Sequence, residues 1–237
     1  MNPRLRDARE RFFRNRGADL GMVVLIMLAT SLTQGAISYS MSEAGALRRF
    51  MPSHASPLLA ALVAVRFGLI ALMAVLWVVK RRRILFRVII FANAMFTLAL
   101  LFHMKALLST LLSGSISEAI VQLLLDVIFM AVSNILIFSI WYWVMDPPGV
   151  EGSPRDDEPW DFLFPQRSGS LPHYESWAPH YVDYLFLAFT ASFAFSPTDT
   201  LPLTRRAKML MLLQSSISIV TMTAIAGSAI NILAART

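Results

Sequence analysis

The sequence predicts an all-α, polytopic membrane helix bundle: five transmembrane helices plus one short segment that re-enters the bilayer or crosses it as a sixth span. Three observations lead there. Hydrophobic residues make up 56% of the 237-residue chain against 15% charged ones, and the apolar residues are gathered into blocks. Five of these blocks approach or exceed the roughly 20 residues that carry a helix across a hydrocarbon core of about 30 Å. The ten-residue alternating pattern of a membrane barrel strand is absent.

The elements follow in chain order. Residues 1–19 form a basic N-terminal segment with six arginines ahead of the first apolar run. No small-x-small cleavage site follows that run, so the first span is expected to stay attached. Residues 20–145 form a four-helix transmembrane region with spans at Leu20–Ser38, Pro57–Val79, Ile84–Met104 and Glu118–Val144. Pro147-Pro148-Gly149 stops the fourth helix, because proline cannot continue it and glycine opens the turn. Residues 146–180 form an acidic, proline-containing linker with seven acidic and two basic residues. Most of it is expected to be irregular, with the patch Trp160–Pro165 docking on helix ends or the membrane interface. Trp141, Tyr142, Trp143, Trp177 and Tyr181 are expected to form aromatic belts at headgroup level. Residues 181–237 hold the short apolar run Val182–Phe195, too short for an ordinary span, and the last helix, Ala207–Ala234.

Counting Lys and Arg on alternate sides orients the chain. With a re-entrant hairpin, sixteen lie on the side of the N-terminus and linker and four on the other. The bias places the N-terminus and linker in the cytoplasm of a multi-pass protein of the bacterial inner membrane. The basic residues abut membrane segments, so the expected partner is the lipid bilayer and not nucleic acid.

The stretch DYLFLAFTASFAFSPTDTLPLT, Asp183–Thr204, resembles the pore hairpin of potassium channels without a gap. Asp183 matches the acidic residue that opens the pore helix, and Asp199 the aspartate after the filter. Pro202 and Thr204 match the residues that lead into the inner helix. The filter motif is not retained: the matching positions read Ala194-Phe195-Ser196-Pro197-Thr198. Glycine supplies the left-handed angles such a carbonyl-lined filter needs, and Pro197 fixes φ and removes a donor at its centre. The resemblance implies a pore-loop-like module with Ser196, Pro197, Thr198 and Asp199 at a constriction, formed by a homo-oligomer, and not selective for potassium. More widely, Trp141–Trp143, the DFLFPQ patch and VDYLFLAFT…FSPTDTLPLTRRAKMLMLLQ are similar to an uncharacterised family of bacterial integral membrane proteins. That similarity covers roughly the C-terminal half and implies a shared fold without an activity.

Charges inside spans are costly and face partners within the bundle. Arg66 in the second span and Asp126 in the fourth fall at similar depth, so they are expected either to form a functional pair or to fix helix register as a structural one. Gln214, Ser218 and Thr221 make a polar stripe on the last helix, which either lines a wet cavity or packs closely against its neighbours. The chain has no cysteine, which excludes disulfides and thiolate sites. His54, His103, His173 and His180 share no metal-ligand spacing, and no nucleophile elbow or phosphate loop is present. No catalytic residue, metal or cofactor is therefore expected, and the chain is read as a non-enzyme. Three functions stay open: a channel-related pore-loop protein, a non-conducting scaffold or sensor with a protein partner at linker 146–180, and a small-solute or proton transporter centred on Arg66 and Asp126.

Overall fold

The computed structural model describes residues 3–43, 55–112, 120–146, 160–167, 177–194 and 199–234. The described residues form six helices: α1 (Pro3–Glu43), α2 (Ala55–Val78), α3 (Arg82–Leu112), α4 (Ile120–Met145), α5 (Tyr181–Phe193) and α6 (Arg205–Ala234). Two short strands, β1 (Phe162–Leu163) and β2 (Leu201–Pro202), pair antiparallel, and a 3-10 turn (Pro165–Arg167) follows β1. Four helices are long and apolar enough to cross a membrane, over Asp19–Met41, Ile84–Ser109, Gln122–Met145 and Arg205–Gly227. Ala64–Val78 and Tyr181–Phe193 are shorter apolar helices.

Burial follows the helical period. On α1 the buried positions are Leu20, Val23, Met27, Thr30, Gln34, Ile37 and Met41, a single face at three- and four-residue spacing. Leu85, Ile89, Ala92, Phe96, Leu100 and His103 make the matching face of α3. The central helix is α4, packed against α1, α3, α5 and α6. It accordingly carries the longest buried series, from Asp126 to Trp143. At the edge, α2 packs on α1 and α3 and leaves much of its surface exposed.

The turn after α2 ends the helix without glycine. The Arg81 N–H bonds the Leu76 carbonyl (3.0 Å) and the Lys80 N–H the Trp77 carbonyl (3.1 Å), the paired bonds of a Schellman cap. That cap needs a left-handed residue, and Lys80 fills the place at φ 59°.

One end of the bundle gathers the end of α4, the β1 segment and the beginnings of α5 and α6. The Asp146 carboxylate, just past α4, accepts the backbone N–H groups of Asp161 (3.1 Å) and Phe162 (3.3 Å) through Oδ1 and the Tyr184 hydroxyl of α5 (2.6 Å) through Oδ2. Asp161 in turn accepts Arg206 Nε and the second guanidinium nitrogen, both at 2.7 Å, and the Thr204 hydroxyl. The Asp161 carbonyl accepts the Leu203 N–H (2.9 Å). Residues 160–167 thus form a strap tying the end of α4 to the starts of α5 and α6. Asp19 of α1 lies at the same end, 3.6 Å from His180.

The aromatic residues around this end depart from a lipid-facing belt. Tyr142, Trp143 and Tyr181 are buried. Trp143 meets Phe86 and Tyr181, and Tyr142 meets Phe162 edge-on at 5.1 Å. The strap and α5 cover this side of α4. Of the linker expected to be irregular, residues 147–159 and 168–176 lie outside the described residues.

Candidate functional site

The hairpin begins at a capped helix. Asp183 Oδ2 accepts the His180 N–H at 2.7 Å, satisfying a donor that the first turn of α5 leaves free. Tyr181, Tyr184, Leu187, Ala188, Ala191 and Ser192 form the buried face, while Val182, Phe186, Phe189 and Phe193 form an exposed apolar one. Both α5 and α6 start at the strap, so they run parallel to one another and antiparallel to α4. Thirteen residues carry α5 about 20 Å away from that end. The chain then returns, because residues 199–204 stand beside the strap again, with Leu201 opposite Leu163.

Gln214 fixes the far half of the hairpin. Its Nε2 donates to the Ala188 carbonyl and to Ser192 Oγ, both at 2.8 Å. Its Oε1 accepts the Tyr142 hydroxyl of α4. One fully buried amide therefore joins α4, α5 and α6. A turn further on, Asn134 Nδ2 of α4 donates to Ser218 Oγ (2.8 Å) and, at 3.3 Å, to the Gln214 carbonyl. Thr221 is also buried and bonds back to the Ile217 and Ser218 carbonyls. Gln214, Ser218 and Thr221 are thus brought together on the packed face of α6.

The constriction candidates divide. Asp199 is exposed and accepts the Thr200 hydroxyl at 3.1 Å. Ser196, Pro197 and Thr198 lie outside the described residues.

Arg66 and Asp126 are not brought together: among the described residues no ion pair joins them. Equal depth does not fix the side a residue faces. Arg66 sits on peripheral α2, within electrostatic reach of His103 on α3. Asp126 faces α1, where Ser40 Oγ donates to its Oδ2 at 2.8 Å. It is only 4% exposed.

A second polar seam, between α1, α3 and α4, was not legible as a unit. Ser38 and His103 Nε2 share a 3.0 Å hydrogen bond, and Gln34 Nε2 donates to the Phe96 carbonyl at 2.8 Å. Asn93 Nδ2 donates to the Ile137 carbonyl (3.1 Å), and Thr33 and Ser133 hydroxyls meet at 2.8 Å. Four buried atoms along the two polar regions have no hydrogen-bond partner: Gln34 Oε1, Asn93 Oδ1, His103 Nδ1 and Asn134 Oδ1. The available signal was the run of Thr30, Thr33, Gln34, Ser38 and Ser40 inside an otherwise apolar span. Asp161 of the strap and its partners Asp146 and Arg206 were likewise visible only as linker or flanking charges.

Among the described residues no group of three His, Asp or Glu side chains can hold a metal ion. No protein-family model, curated protein or solved structure matches this chain, and the functional reading rests on the geometry of the hairpin and its polar supports.

Proposed function

We propose that this chain is a pore-loop-type integral membrane protein of the bacterial inner membrane, related in architecture to ion channels and without potassium selectivity. The single observation that carries the reading is the shared starting end of α5 and α6. A helix of about 20 Å that leaves one face and returns to it is re-entrant in a bilayer core of about 30 Å. The 24-residue α2 supplies the fifth span. The excess of Lys and Arg on the strap side puts that side and the N-terminus in the cytoplasm. One hairpin cannot enclose a pore, so conduction takes place in a homo-oligomer, with Asp199 at the mouth.

Because the chain lacks cysteine, introduced thiols test this directly. His180→Cys and Asp199→Cys are expected to react with a membrane-impermeant reagent only after cells are opened, and Lys105→Cys in intact cells. Labelling of the first two from opposite faces makes α5 a span and ends the pore-loop reading. Purified protein in planar bilayers is then expected to conduct, with a conductance altered by Asp199→Asn. Silence in that assay with the topology intact leaves the second reading, a scaffold or sensor. The strap that joins the linker to three helices is what favours it.

A further inference from the structure

The strap grips the hairpin mainly through one residue. Asp161 donates its N–H to Asp146 at the end of α4 (3.1 Å) and accepts the Leu203 N–H on its carbonyl (2.9 Å). Its buried carboxylate accepts the Thr204 hydroxyl and two bonds from Arg206. Thr204 is also the N-cap of α6, its Oγ accepting the Ala207 N–H at 3.3 Å. Every polar group of Asp161 is thus spent on joining the end of α4 to residues 199–204, the limb by which the hairpin returns, and to the start of α6.

That limb has little else to hold it. Among the described residues, its hydrogen bonds to elements other than α6 all go to the strap. They are the bonds to Asp161 and the pairing of Leu201 and Pro202 with Leu163 and Phe162. A ladder of two residues is marginal by itself. Asp199 is exposed and its hydrogen bond is to its chain neighbour Thr200, so its own side chain does not anchor it to the bundle. Thr200 is only 1% exposed although both its neighbours are exposed, and its burial therefore reports the position of the limb.

The opposite side of the strap is seated on α4 and α5 through aromatic rings, Phe162 on Tyr142 and Phe164 on Tyr184. Its hold on the limb is polar by contrast. Arg206 is 59% exposed, so water and dissolved ions reach that side, and there strap and limb can part.

We propose that the strap is a latch on the return limb, which sets where Asp199 stands by closing and opening at Asp161. Closed, it holds Asp199 four residues before the Leu203 bond; open, the limb and Asp199 move together. On the pore-loop reading, on which this consequence rests, the latch regulates conduction, because an exposed carboxylate at a mouth concentrates cations there.

The test compares two single thiols in the full chain in detergent, Leu163→Cys on the strap and Thr200→Cys on the limb, by their maleimide labelling rates. Thr200 makes no bond to Asp161, so its rate reports movement of the limb and not loss of a strap contact. Asp161→Asn is expected to raise both rates by the same factor, on the order of 100-fold, as one cooperative unit does. A rise at only one of the two, or at neither, overturns the latch. Size-exclusion profiles show which variants are folded. Should Asp161→Asn not fold, Arg206→Met breaks the same pair from its exposed side and is read in the same way. In planar bilayers, Asp161→Asn is expected to lower the conductance. A disulfide joining Leu163→Cys to Leu201→Cys, which stand opposite in the antiparallel pair, is expected to restore it. Equal conductance with that disulfide formed and reduced overturns the regulation of conduction. Silent wild-type protein is instead a failure of the pore-loop reading, and the two labelling rates then still decide the latch.

Discussion

Removing the charge of Asp161 is expected to free the strap while leaving the bundle folded. Its carboxylate is fully buried and accepts two bonds from Arg206 and one from Thr204. Hydrogen bonds to charged groups contribute about 1.5–3 kcal/mol each in favourable settings. Arg206 is 59% exposed, so water screens its side of the pair and pulls the total toward the low end. Asp161→Asn also turns an amide nitrogen toward donors, which leaves a buried group without a partner. The sum for local undocking is about 3 kcal/mol, or about two orders of magnitude in the open population. A single thiol at the half-buried strap position, Leu163→Cys, reads that population by its maleimide labelling rate in detergent. The rate is expected to rise roughly 100-fold on Asp161→Asn, by the same tenfold-per-1.4 kcal/mol relation. The same substitution in an Arg206→Met background is expected to add much less, because the two changes remove one interaction. A rise below about threefold, or full additivity in the double variant, refutes the claim that this carboxylate holds the strap.

Three further outcomes are expected. Lys80→Gly relieves the left-handed backbone at φ 59° and stabilises the protein by about 1 kcal/mol, read as a higher unfolding temperature in detergent. Gln214→Leu strips the hairpin of its amide and leaves the Tyr142 hydroxyl and Ser192 without that partner. A cost of about 2–4 kcal/mol is expected, seen as faster labelling of Ala191→Cys in α5. Asn134→Ala and Ser218→Ala, combined in a double-mutant cycle, give a coupling of about 0.6–1.7 kcal/mol if their 2.8 Å bond persists in the membrane, and near zero if it does not.

Four of the helices were readable because span length and hydropathy are local properties: their apolar blocks overlap the segments Asp19–Met41, Ile84–Ser109, Gln122–Met145 and Arg205–Gly227, with ends that differ by up to seven residues. The beginning of α1 was not. The helix starts at Pro3, although its first sixteen residues hold six arginines and so leave no apolar block to see. Sidedness within the bundle was also hidden. Arg66 and Asp126 could be placed at one depth from residue counts, but which neighbour each faces depends on helix rotation and on α1 lying against α4. The belt assignment of Tyr142, Trp143 and Tyr181 failed for the same reason: nothing local announces that a strap 15 residues downstream covers the end of α4. Gln214 and Ser218 were visible as polar residues in an apolar helix, and the packed alternative is the one the structure has. Their partners on α4 and α5 lie 22 to 84 residues away.

The parallel setting of α5 and α6 has an electrical consequence. A helix carries roughly half a positive charge at its start and half a negative charge at its end. The positive start of α5 lies at the strap, where Asp183 and solvent offset it. Its negative end is about 20 Å deeper, where Gln214 occupies one carbonyl, that of Ala188. Low dielectric leaves the remaining field weakly screened. On the proposed re-entrant reading, the end of α5 is therefore biased against anions, and chloride should meet a barrier beside it that a cation of the same size does not.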